Sequence, residues 1–397
     1  MKILILSSLS FSLVNFRGAL IRRMLAQGHK VVTAAPDAEP AVLATLEEWG
    51  AEFRITPMAR AGTSLLADMR TLWHYSRLVH AERPDVVVAY TQKPIIYGGI
   101  AARLGGNIPF FAIMSGLGYV FSDASDHRPF LRRLVARLYR FGVRRARCLF
   151  VFNGDDRRMM EQYGIVSRGQ RVLQVPGSGV DTAHYAQHPL PDGPITFLMM
   201  GRLMRDKGVA EYAAAARQIR AFAPDTRFLL LGRPETENPT GIPESELAEW
   251  QESGLITLLP ESRDVRPILG SAHVFVLPSY YREGLPRTIL EALSTGRPVI
   301  TTDMPGCREP IRPGRNGLLV PPRDAAALAK AMRTFIDQPD RIAAMAEQAR
   351  QTAVEEYDVH LVNAMLMREM NLYPTDGTRT EESPRGDRAG LPAVVTS

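Results

Sequence analysis

Residues 273–301, HVFVLPSYYREGLPRTILEALSTGRPVIT, contain the pattern that decides the fold. The two ends, His273–Leu277 and Pro298–Thr301, are short apolar runs without the polar alternation of a half-exposed strand. Between them, from Thr288 to Gly296, apolar residues recur at the three- and four-residue spacing of a helix. Two apolar strands joined by a crossover helix are typical of a parallel sheet that is covered on both faces.

The same alternation extends in both directions from this stretch. Further strands are predicted in the second half at Ile195–Met200, Arg227–Gly232 and Ile256–Leu259. Seven more are predicted in the first half: Lys2–Ser7, Lys30–Ala34, Glu52–Thr56, Asp85–Tyr90, Pro109–Met114, Cys148–Phe152 and Arg171–Val175. The fold class is therefore α/β, with two doubly wound, Rossmann-like units. We expect them to face each other across a cleft at the carboxyl ends of their strands.

The predicted boundaries follow the interruptions in this pattern. The pattern pauses in a segment rich in proline, glycine, histidine and aspartate, residues 176–194, and then restarts. Helices are predicted over residues 324–337 and 340–370. The predicted parts are a first unit (1–182), a linker (183–194), a second unit (195–345), a C-terminal helix that crosses back to the first unit (346–373), and a disordered tail (374–397).

Composition limits the class of protein. The chain has 397 residues, of which 45% are hydrophobic and 23% charged, which excludes a disordered or collagen-like chain. Two cysteines without a CxxC pair predict no thiolate metal site and favour a reducing compartment. The start, MKILILSSLSFSLV, lacks a signal-peptide cleavage site, and no apolar window approaches 18 residues. We therefore expect a cytoplasmic protein.

The net charge of +6 is unevenly distributed along the chain. Residues 1–182 carry 24 basic and 14 acidic side chains (net +10), whereas residues 183–397 carry 24 and 28 (net −4). Nearly all the basic residues are arginine, which can reflect coding preference alone. The excess nevertheless predicts a negatively charged partner for the first half.

The octapeptide GRLMRDKG begins at Gly201, directly after a predicted strand. Gly201 lets the chain turn sharply, and Arg202 and Lys207 flank the start of the next helix. A helix amino terminus with two cations suits a diphosphate, although a solvated basic turn would have the same residues.

Two glutamates lie eight positions apart in the stretch quoted first. Glu283 follows a strand and precedes Gly284-Leu285-Pro286, whereas Glu291 lies about one and a half turns into the next helix. Both carboxylates can face the same cleft and accept hydrogen bonds from sugar hydroxyls. A surface glutamate pair is the alternative interpretation.

GRLMRDKG, EGLPRTILE, GRPVITTDMPGCREPI and GRNGLLVPP together resemble the retaining glycosyltransferases of family 4, which have the two-domain GT-B fold. The resemblance covers about residues 1–370. It implies that Arg202 and Lys207 hold the donor diphosphate and stabilise the leaving nucleotide. It also implies that Glu291 contacts the ribose, while Glu283 and the Gly284-Leu285 backbone contact the transferred sugar.

The resemblance also bears on cofactors and mechanism. The chain has no DxD pair, and the resemblance implies a reaction that needs neither a metal nor another cofactor. The family generally lacks a well-placed nucleophile and attacks from the front face, with a donor phosphate oxygen helping to take the acceptor proton. We therefore assign no nucleophile.

The first unit is expected to bind the acceptor. The loop Ser7–Arg17, with Asn15 and Arg17, follows the first strand, and Ser115-Gly116 stands where many family members have a histidine. The segments SGLGYVF and VVVAYTQKPIIYGGIAARL resemble the branch that extends polyprenyl-diphosphate-linked sugars. Lys93, in the second segment, could meet an acceptor phosphate. His127 and its neighbour Asp126 are further polar candidates.

Residues 127–149, HRPFLRRLVARLYRFGVRRARCL, predict an arginine-rich amphipathic helix. Such a helix can lie on anionic lipid, or it can simply present arginines to solvent. The proposed membrane contacts are Arg132, Arg133, Arg137, Arg140 and Arg144. No aromatic platform or reader motif accompanies them, so no nucleic-acid partner is predicted.

Together these features predict a transferase at the inner face of a bacterial plasma membrane. It would move a hexose or N-acetylhexosamine with retention, from a nucleotide-sugar expected to be UDP-linked, to a lipid-linked or growing glycan in surface polysaccharide synthesis. The alternatives are a sugar-nucleotide epimerase or hydrolase of the same fold and a non-catalytic sugar-nucleotide-binding protein. A dinucleotide-dependent oxidoreductase is disfavoured because the first strand is not followed by GxGxxG.

Overall fold

A computed structural model describes residues 1–59, 64–121, 129–235 and 238–373. The chain forms two separate parallel sheets, which confirms the predicted α/β class. The first sheet has the order β3-β2-β1-β4-β5-β6-β7. Its strands are β1 (Lys2–Leu6), β2 (Lys30–Ala35), β3 (Glu52–Ile55), β4 (Val86–Tyr90), β5 (Phe110–Met114), β6 (Cys148–Val151) and β7 (Val172–Gln174).

Helices cover both faces of the first sheet because its strands are apolar on both sides. On one face lie α1 (Ser10–Asn15), α2 (Gly18–Ala26) and α3 (Pro40–Glu48), packed around Ile3 and Ile5. On the other face, packed around Leu4 and Leu6, lie α4 (Leu65–Glu82), α5 (Gln92–Leu104), α6 (Pro129–Val143) and α7 (Gly154–Gln162).

The second sheet has the order β10-β9-β8-β11-β12-β13. Its strands are β8 (Thr196–Met200), β9 (Arg227–Leu231), β10 (Thr257–Leu259), β11 (Val274–Leu277), β12 (Val299–Thr302) and β13 (Gly317–Val320). Its helices are α8 (Val209–Arg220), α9 (Glu244–Glu252), α10 (Arg266–Gly270), α11 (Arg287–Ser294) and α12 (Ala325–Asp337). Strand β13 was not predicted; it pairs in parallel with β12 at the sheet edge.

The prediction of a single helix over residues 340–370 is wrong. The structure has two helices there, α13 (Asp340–Glu356) and α14 (Val359–Glu369). Val180, in the connection between the two sheets, donates its N–H to the Tyr357 carbonyl and accepts from the Val359 N–H, at 2.8 and 2.9 Å. The Tyr357 carbonyl and the Val359 N–H are used in this pairing, so they do not make the hydrogen bonds of a continuous helix. The Asp358 carboxylate caps α14 by accepting from the His360 N–H.

Helix α14 packs on the first sheet although it follows the second in sequence. Val362, Leu366 and Met367 are buried in the same core as Ile3. The Glu369 carboxylate also accepts a hydrogen bond from Arg171 before β7, with Nη2–Oε2 at 2.6 Å. Helix α14 therefore brings the chain from the second unit back onto the first.

The predicted loop Ser7–Arg17 contains the short helix α1. The Asp37 carboxylate, which follows β2, accepts hydrogen bonds from the Ser10 N–H and Ser10 Oγ at 3.0 and 2.5 Å. An acceptor at this position stabilises the start of a helix.

Both sheets reverse their strand order at one point, between β1 and β4 and between β8 and β11. Ligands of open α/β sheets bind outside the carboxyl ends of the strands at such points. In the described part of the chain, no helix is both long and apolar enough to cross a bilayer. Asp126, His127 and the predicted tail, residues 374–397, lie outside the described residues.

Candidate active site

A cavity of about 340 Å³ lies between the carboxyl ends of the two sheets. We call it the cleft. The first unit contributes residues that follow β1, β4, β5 and β6, and the second contributes residues that follow β8 and β11. Its polar and charged lining residues are Ser12, Arg17, Tyr90, Thr91, Ser115, Ser178, Lys207, Glu283, Arg287 and Thr288.

The donor-side predictions converge at a lysine–carboxylate pair. Lys207 lies in a one-turn helix after β8, Glu283 lies in the loop after β11, and Lys207 Nζ contacts Glu283 Oε1. Each side chain is only 13% exposed. Ser279 Oγ donates to the same carboxylate oxygen at 3.2 Å. The pair is therefore shielded from water, yet it lines a cavity in which an incoming anion can reach the ammonium group.

The turn after Lys207 brings these two loops together. Gly208 caps α8 with a φ of +79°, and a Cβ built there would overlap the Pro278 carbonyl oxygen. Only glycine allows both the backbone conformation and this close approach. Lys207 is thus held beside the loop that carries Glu283.

The Glu283 loop also touches the first unit. A Cβ built on Gly284 would overlap the Ser115 carbonyl oxygen, and the Asn153 side-chain amide donates to the Gly284 carbonyl at 2.9 Å. The backbone of Gly116 lies against Gly284 as well. The predicted acceptor-side pair Ser115-Gly116 therefore meets the predicted donor-side residues directly.

Two ion pairs flank this backbone contact. The buried Asp156 lies 3.4 Å from Arg282 Nε, and Asp155 lies 2.7 Å from Arg308 Nη2. Both aspartates belong to the first turn of α7, and both arginines belong to the second unit. Burial raises the pKa of Asp156, although Arg282 opposes this shift. The two units are thus joined by charges as well as by backbone packing.

Arg17 is a buried cation in the wall of the cleft. Its side chain is 2% exposed, and its guanidinium stacks over Tyr90 and Phe152 with carbon-to-centroid distances of 5.0 and 5.9 Å. Within the described residues it makes no ion pair, and its Nε has no hydrogen-bond partner. Burial, with a further contribution from Arg287, lowers the pKa of Arg17 to about 10.

Thr91 directly follows β4 and lines the cleft, as Arg17 does. It has a φ of +70°, which is uncommon for a β-branched residue, and its buried hydroxyl has no hydrogen-bond partner among the described residues. Strained residues are frequent at binding sites, where the surrounding structure holds them in place. Arg17 and Thr91 therefore each have a polar group without a hydrogen-bond partner among the described residues.

Glu291 is paired inside the second unit. It is 8% exposed, Arg287 Nε lies 3.0 Å from Glu291 Oε1, and Tyr185 is a further hydrogen-bond partner. Burial raises the pKa of Glu291. Arg287 also donates to the Asn15 carbonyl, so Asn15 contacts the second unit through its backbone.

Some predicted residues lie away from the cleft lining. The Arg202 side chain is exposed at its edge, and Lys93 Nζ pairs with Asp68 Oδ1 at 2.8 Å. Sequence reasoning in turn missed Thr91, Asn153 and Arg287. Thr91 and Asn153 follow the apolar strands β4 and β6, and this position could have identified them as candidate site residues. No sequence pattern indicated Arg287.

Two family models match the chain. The model described as "Glycosyl transferase 4-like domain" matches residues 15–177, and the model described as "Glycosyl transferases group 1" matches residues 194–338. The two matches correspond to the first and second sheets.

Two characterised relatives act on undecaprenol-linked sugars, according to their names. The N,N'-diacetylbacillosaminyl-diphospho-undecaprenol α-1,3-N-acetylgalactosaminyltransferase of Campylobacter jejuni is 23% identical over 377 residues, 91% of this chain and 96% of that protein. The UDP-Gal:α-D-GlcNAc-diphosphoundecaprenol α-1,3-galactosyltransferase of Escherichia coli is 28% identical over 287 residues, 69% of this chain and 72% of that protein.

Solved structures share the fold. HepE of Anabaena, crystallised with UDP, superposes with a TM-score of 0.75 at 19% identity, covering 94% of this chain and 100% of the other. Sucrose-phosphate synthase of Thermosynechococcus elongatus has a TM-score of 0.74 at 19% identity and covers 94% and 98%.

Gly284→Ala should separate the two units, because the added methyl group would lie well inside 3.0 Å of the Ser115 carbonyl. The measurement is the distance between spin labels at Gln162→Cys and Lys330→Cys, since both native cysteines are buried. We expect a longer or broader distance distribution. Gly154→Ala is the control, because its methyl group would make only ordinary contacts at 3.5 Å or more. An unchanged distribution in Gly284→Ala would mean that this contact does not set the separation.

Proposed function

Because this chain belongs to the family 4 glycosyltransferases, we propose that it transfers a hexose or N-acetylhexosamine, with retention, from a UDP-sugar to a lipid-diphosphate-linked sugar. The observation that carries the proposal is the cleft itself. The Lys207–Glu283 pair of the second unit and the buried Arg17 of the first, which has no ion-pair partner among the described residues, line the same cleft. The chemistry suits two substrates that each carry phosphate, and the names of the two undecaprenol-linked relatives support that pairing.

Lys207 and Arg202 would bind the donor diphosphate. Lys207 lines the cleft, and the exposed Arg202 directly follows Gly201, which also lines it. Their charges oppose the negative charge that develops on the leaving nucleotide. When the diphosphate binds, Lys207 is shared with it, and the Glu283 carboxylate becomes an acceptor for hydroxyl groups of the transferred sugar.

Retention is proposed to proceed by front-face attack. Among the described residues that line the cleft, Glu283 is the one carboxylate, and it is engaged by Lys207 and Ser279. A carboxylate held in this way is a poor nucleophile. A donor phosphate oxygen would then take the proton from the attacking acceptor hydroxyl, which needs no protein base.

Lys207→Ala should lower kcat about 10²- to 10³-fold, because it removes a cation from the leaving group. Glu283→Gln should lower kcat with a smaller change in the KM for donor, since the amide keeps the shape and loses the charge. Lys330→Ala, an exposed lysine of α12, is the control and should leave both constants unchanged. The assay combines UDP-sugars with an undecaprenyl-diphosphate-sugar analogue and assigns the product anomer by NMR.

Three results of this assay would contradict the proposal. An inverted product would exclude the front-face mechanism. Donor turnover that is equally fast without acceptor would indicate a hydrolase or epimerase. Full activity in Lys207→Ala would remove the donor site from Lys207.

On the acceptor side, Arg17 would bind a phosphate of the lipid diphosphate. Arg17 is buried and has no carboxylate partner among the described residues, which is costly unless an anion reaches its guanidinium through the cleft. Thr91, whose hydroxyl has no hydrogen-bond partner among the described residues, lines the same cleft and would donate to this ligand. This site faces the donor cations across the cleft, so each diphosphate has its own cationic wall.

Arg17→Gln should raise the KM for a lipid-diphosphate acceptor at least tenfold and change the KM for the UDP-sugar much less. A charged hydrogen bond to phosphate is worth about 1.5–3 kcal/mol, which corresponds to this range. Arg22→Gln, an exposed arginine of α2, is the matched control. An acceptor analogue without phosphate should show no difference between Arg17→Gln and the unmodified protein. A shared increase in both KM values would argue for a structural role instead.

The membrane proposal rests on the outer surface of α6. Arg133, Arg137, Arg140 and Arg144 are exposed, together with Phe130 at 78%, Leu134 at 42% and Phe141 at 50%. Arg132 does not belong to this surface, because it donates to the Val120 carbonyl and the Tyr163 hydroxyl, both at 3.0 Å. Arginines interspersed with exposed apolar residues are typical of a helix that lies on an anionic bilayer.

Helix α4, on the same face of the sheet, adds further apolar surface. Its residues Leu65, Leu66, Met69 and Trp73 are each more than half exposed. Exposed apolar groups of this extent mark interaction sites. We therefore propose that α4 and α6 rest on the membrane that holds the acceptor lipid.

Arg133→Glu/Arg137→Glu should weaken sedimentation with phosphatidylglycerol vesicles at least tenfold, since each basic residue contributes about 1 kcal/mol near an anionic surface. The control is Arg217→Glu/Arg227→Glu, which reverses two exposed arginines of the second unit. Equal sedimentation of both variants, or no vesicle binding at low salt, would contradict the membrane proposal.

A further inference from the structure

A second, larger cavity of about 740 Å³ opens at the opposite edge of the first sheet from the cleft. Pro109, Arg147 and Arg171, which line it, directly precede β5, β6 and β7. In a parallel sheet the amino ends of the strands lie at the edge away from their carboxyl ends. The cavity is therefore separated from the cleft by the length of the strands, roughly 15 Å.

Arginine dominates the lining of this second cavity, which we call the arginine cavity. Six arginines from three segments line it: Arg103, Arg144, Arg145, Arg147, Arg168 and Arg171. No aspartate or glutamate is present among its described lining residues. Glu369 pairs with Arg171 from α14, so five of the six charges have no carboxylate partner among the described residues.

Two of the arginines are held in place by neutral groups. Arg103 Nη1 donates to the Phe141 carbonyl at 3.0 Å, and its guanidinium lies 4.3 Å from the Phe141 ring centroid. Arg145 Nη1 donates to Asn107 Oδ1 at 2.6 Å. Both contacts fix the positions of the groups without neutralising them.

The other side chains, Arg144, Arg147 and Arg168, have no hydrogen bond or ion pair within the described part of the chain. Their donors are thus available to a ligand. The close spacing of these positive charges is unfavourable when no anion is bound. Burial and the charges of Arg144 and Arg145 accordingly lower the pKa of Arg103. A bound anion would relieve this repulsion.

We propose that the arginine cavity binds a phosphate-bearing anion at a site separate from the reaction centre. Guanidinium forks match phosphate oxygens, and a cavity of this volume accommodates a diphosphate or a lipid headgroup. Because the site lies at the amino ends of the strands, its ligand is neither the donor nor the acceptor of the reaction. The ligand is either a soluble phosphate compound or the headgroup of an anionic phospholipid, and both share the chemistry that the arginines recognise.

The test is calorimetric titration with pyrophosphate. Arg17→Gln/Arg202→Gln/Lys207→Gln protein is the starting point, so that binding to the cations of the cleft is removed. We expect saturable binding, and adding Arg147→Glu/Arg168→Glu should weaken it at least tenfold. The charge-matched control, Arg217→Glu/Arg227→Glu, should leave the affinity unchanged. None of these measurements depends on glycosyl transfer, so the result is independent of the proposed function.

A vesicle arm distinguishes the two sources of phosphate. The site takes a headgroup if Arg147→Glu/Arg168→Glu weakens binding to phosphatidylglycerol vesicles at least tenfold, relative to the same control. A site for a soluble phosphate compound responds in the pyrophosphate titration alone. Phosphatidylcholine vesicles provide the baseline without net charge. The proposal is overturned if neither pyrophosphate nor vesicle binding responds to Arg147→Glu/Arg168→Glu, or if the control pair weakens binding equally.

Discussion

The close approach of Gly284 to the Ser115 carbonyl is the constraint on which the cleft depends. It places the loop that carries Glu283 against the end of β5, and the Asn153 amide fixes the same loop through the Gly284 carbonyl. A side chain at position 284 would force the two sheets apart. The cleft therefore has its present width because two backbones, rather than two side chains, meet there.

The charges of the cleft follow from this geometry. Lys207 with Glu283, and Arg287 with Glu291, are pairs formed inside the second unit. In each pair the two charges compensate each other in the absence of ligand, and a ligand group can replace a partner of the same sign. Arg17 differs because aromatic rings, and no described carboxylate, surround it. Among the described residues that line the cleft, Arg17 is a cation that an incoming anion would meet without displacing a carboxylate.

The sequence patterns predicted what depends on local periodicity, and they failed where distant segments decide the outcome. Apolar runs located twelve of the thirteen strands in the described part of the chain to within a residue or two. The residues after β8 and β11 were found because parallel strands share one carboxyl edge. The break at Tyr357 was not predictable, because it depends on pairing with Val180. The burial of Arg17 depends likewise on Tyr90 and Phe152, from strands far along the chain.

The structure shows that the excess positive charge of the first half lies in three separate places. Arg17 lies in the cleft, Arg133 and Arg137 lie on the outer face of α6, and the arginine cavity lies at the far edge of the sheet. Helix α6 connects the last two, and its 15 residues span about 22 Å. An anionic surface parallel to α6 would therefore meet the exposed arginines of the helix and the rim at Arg144 together. The cleft would remain near the other end of the helix, open to an acceptor held in that surface.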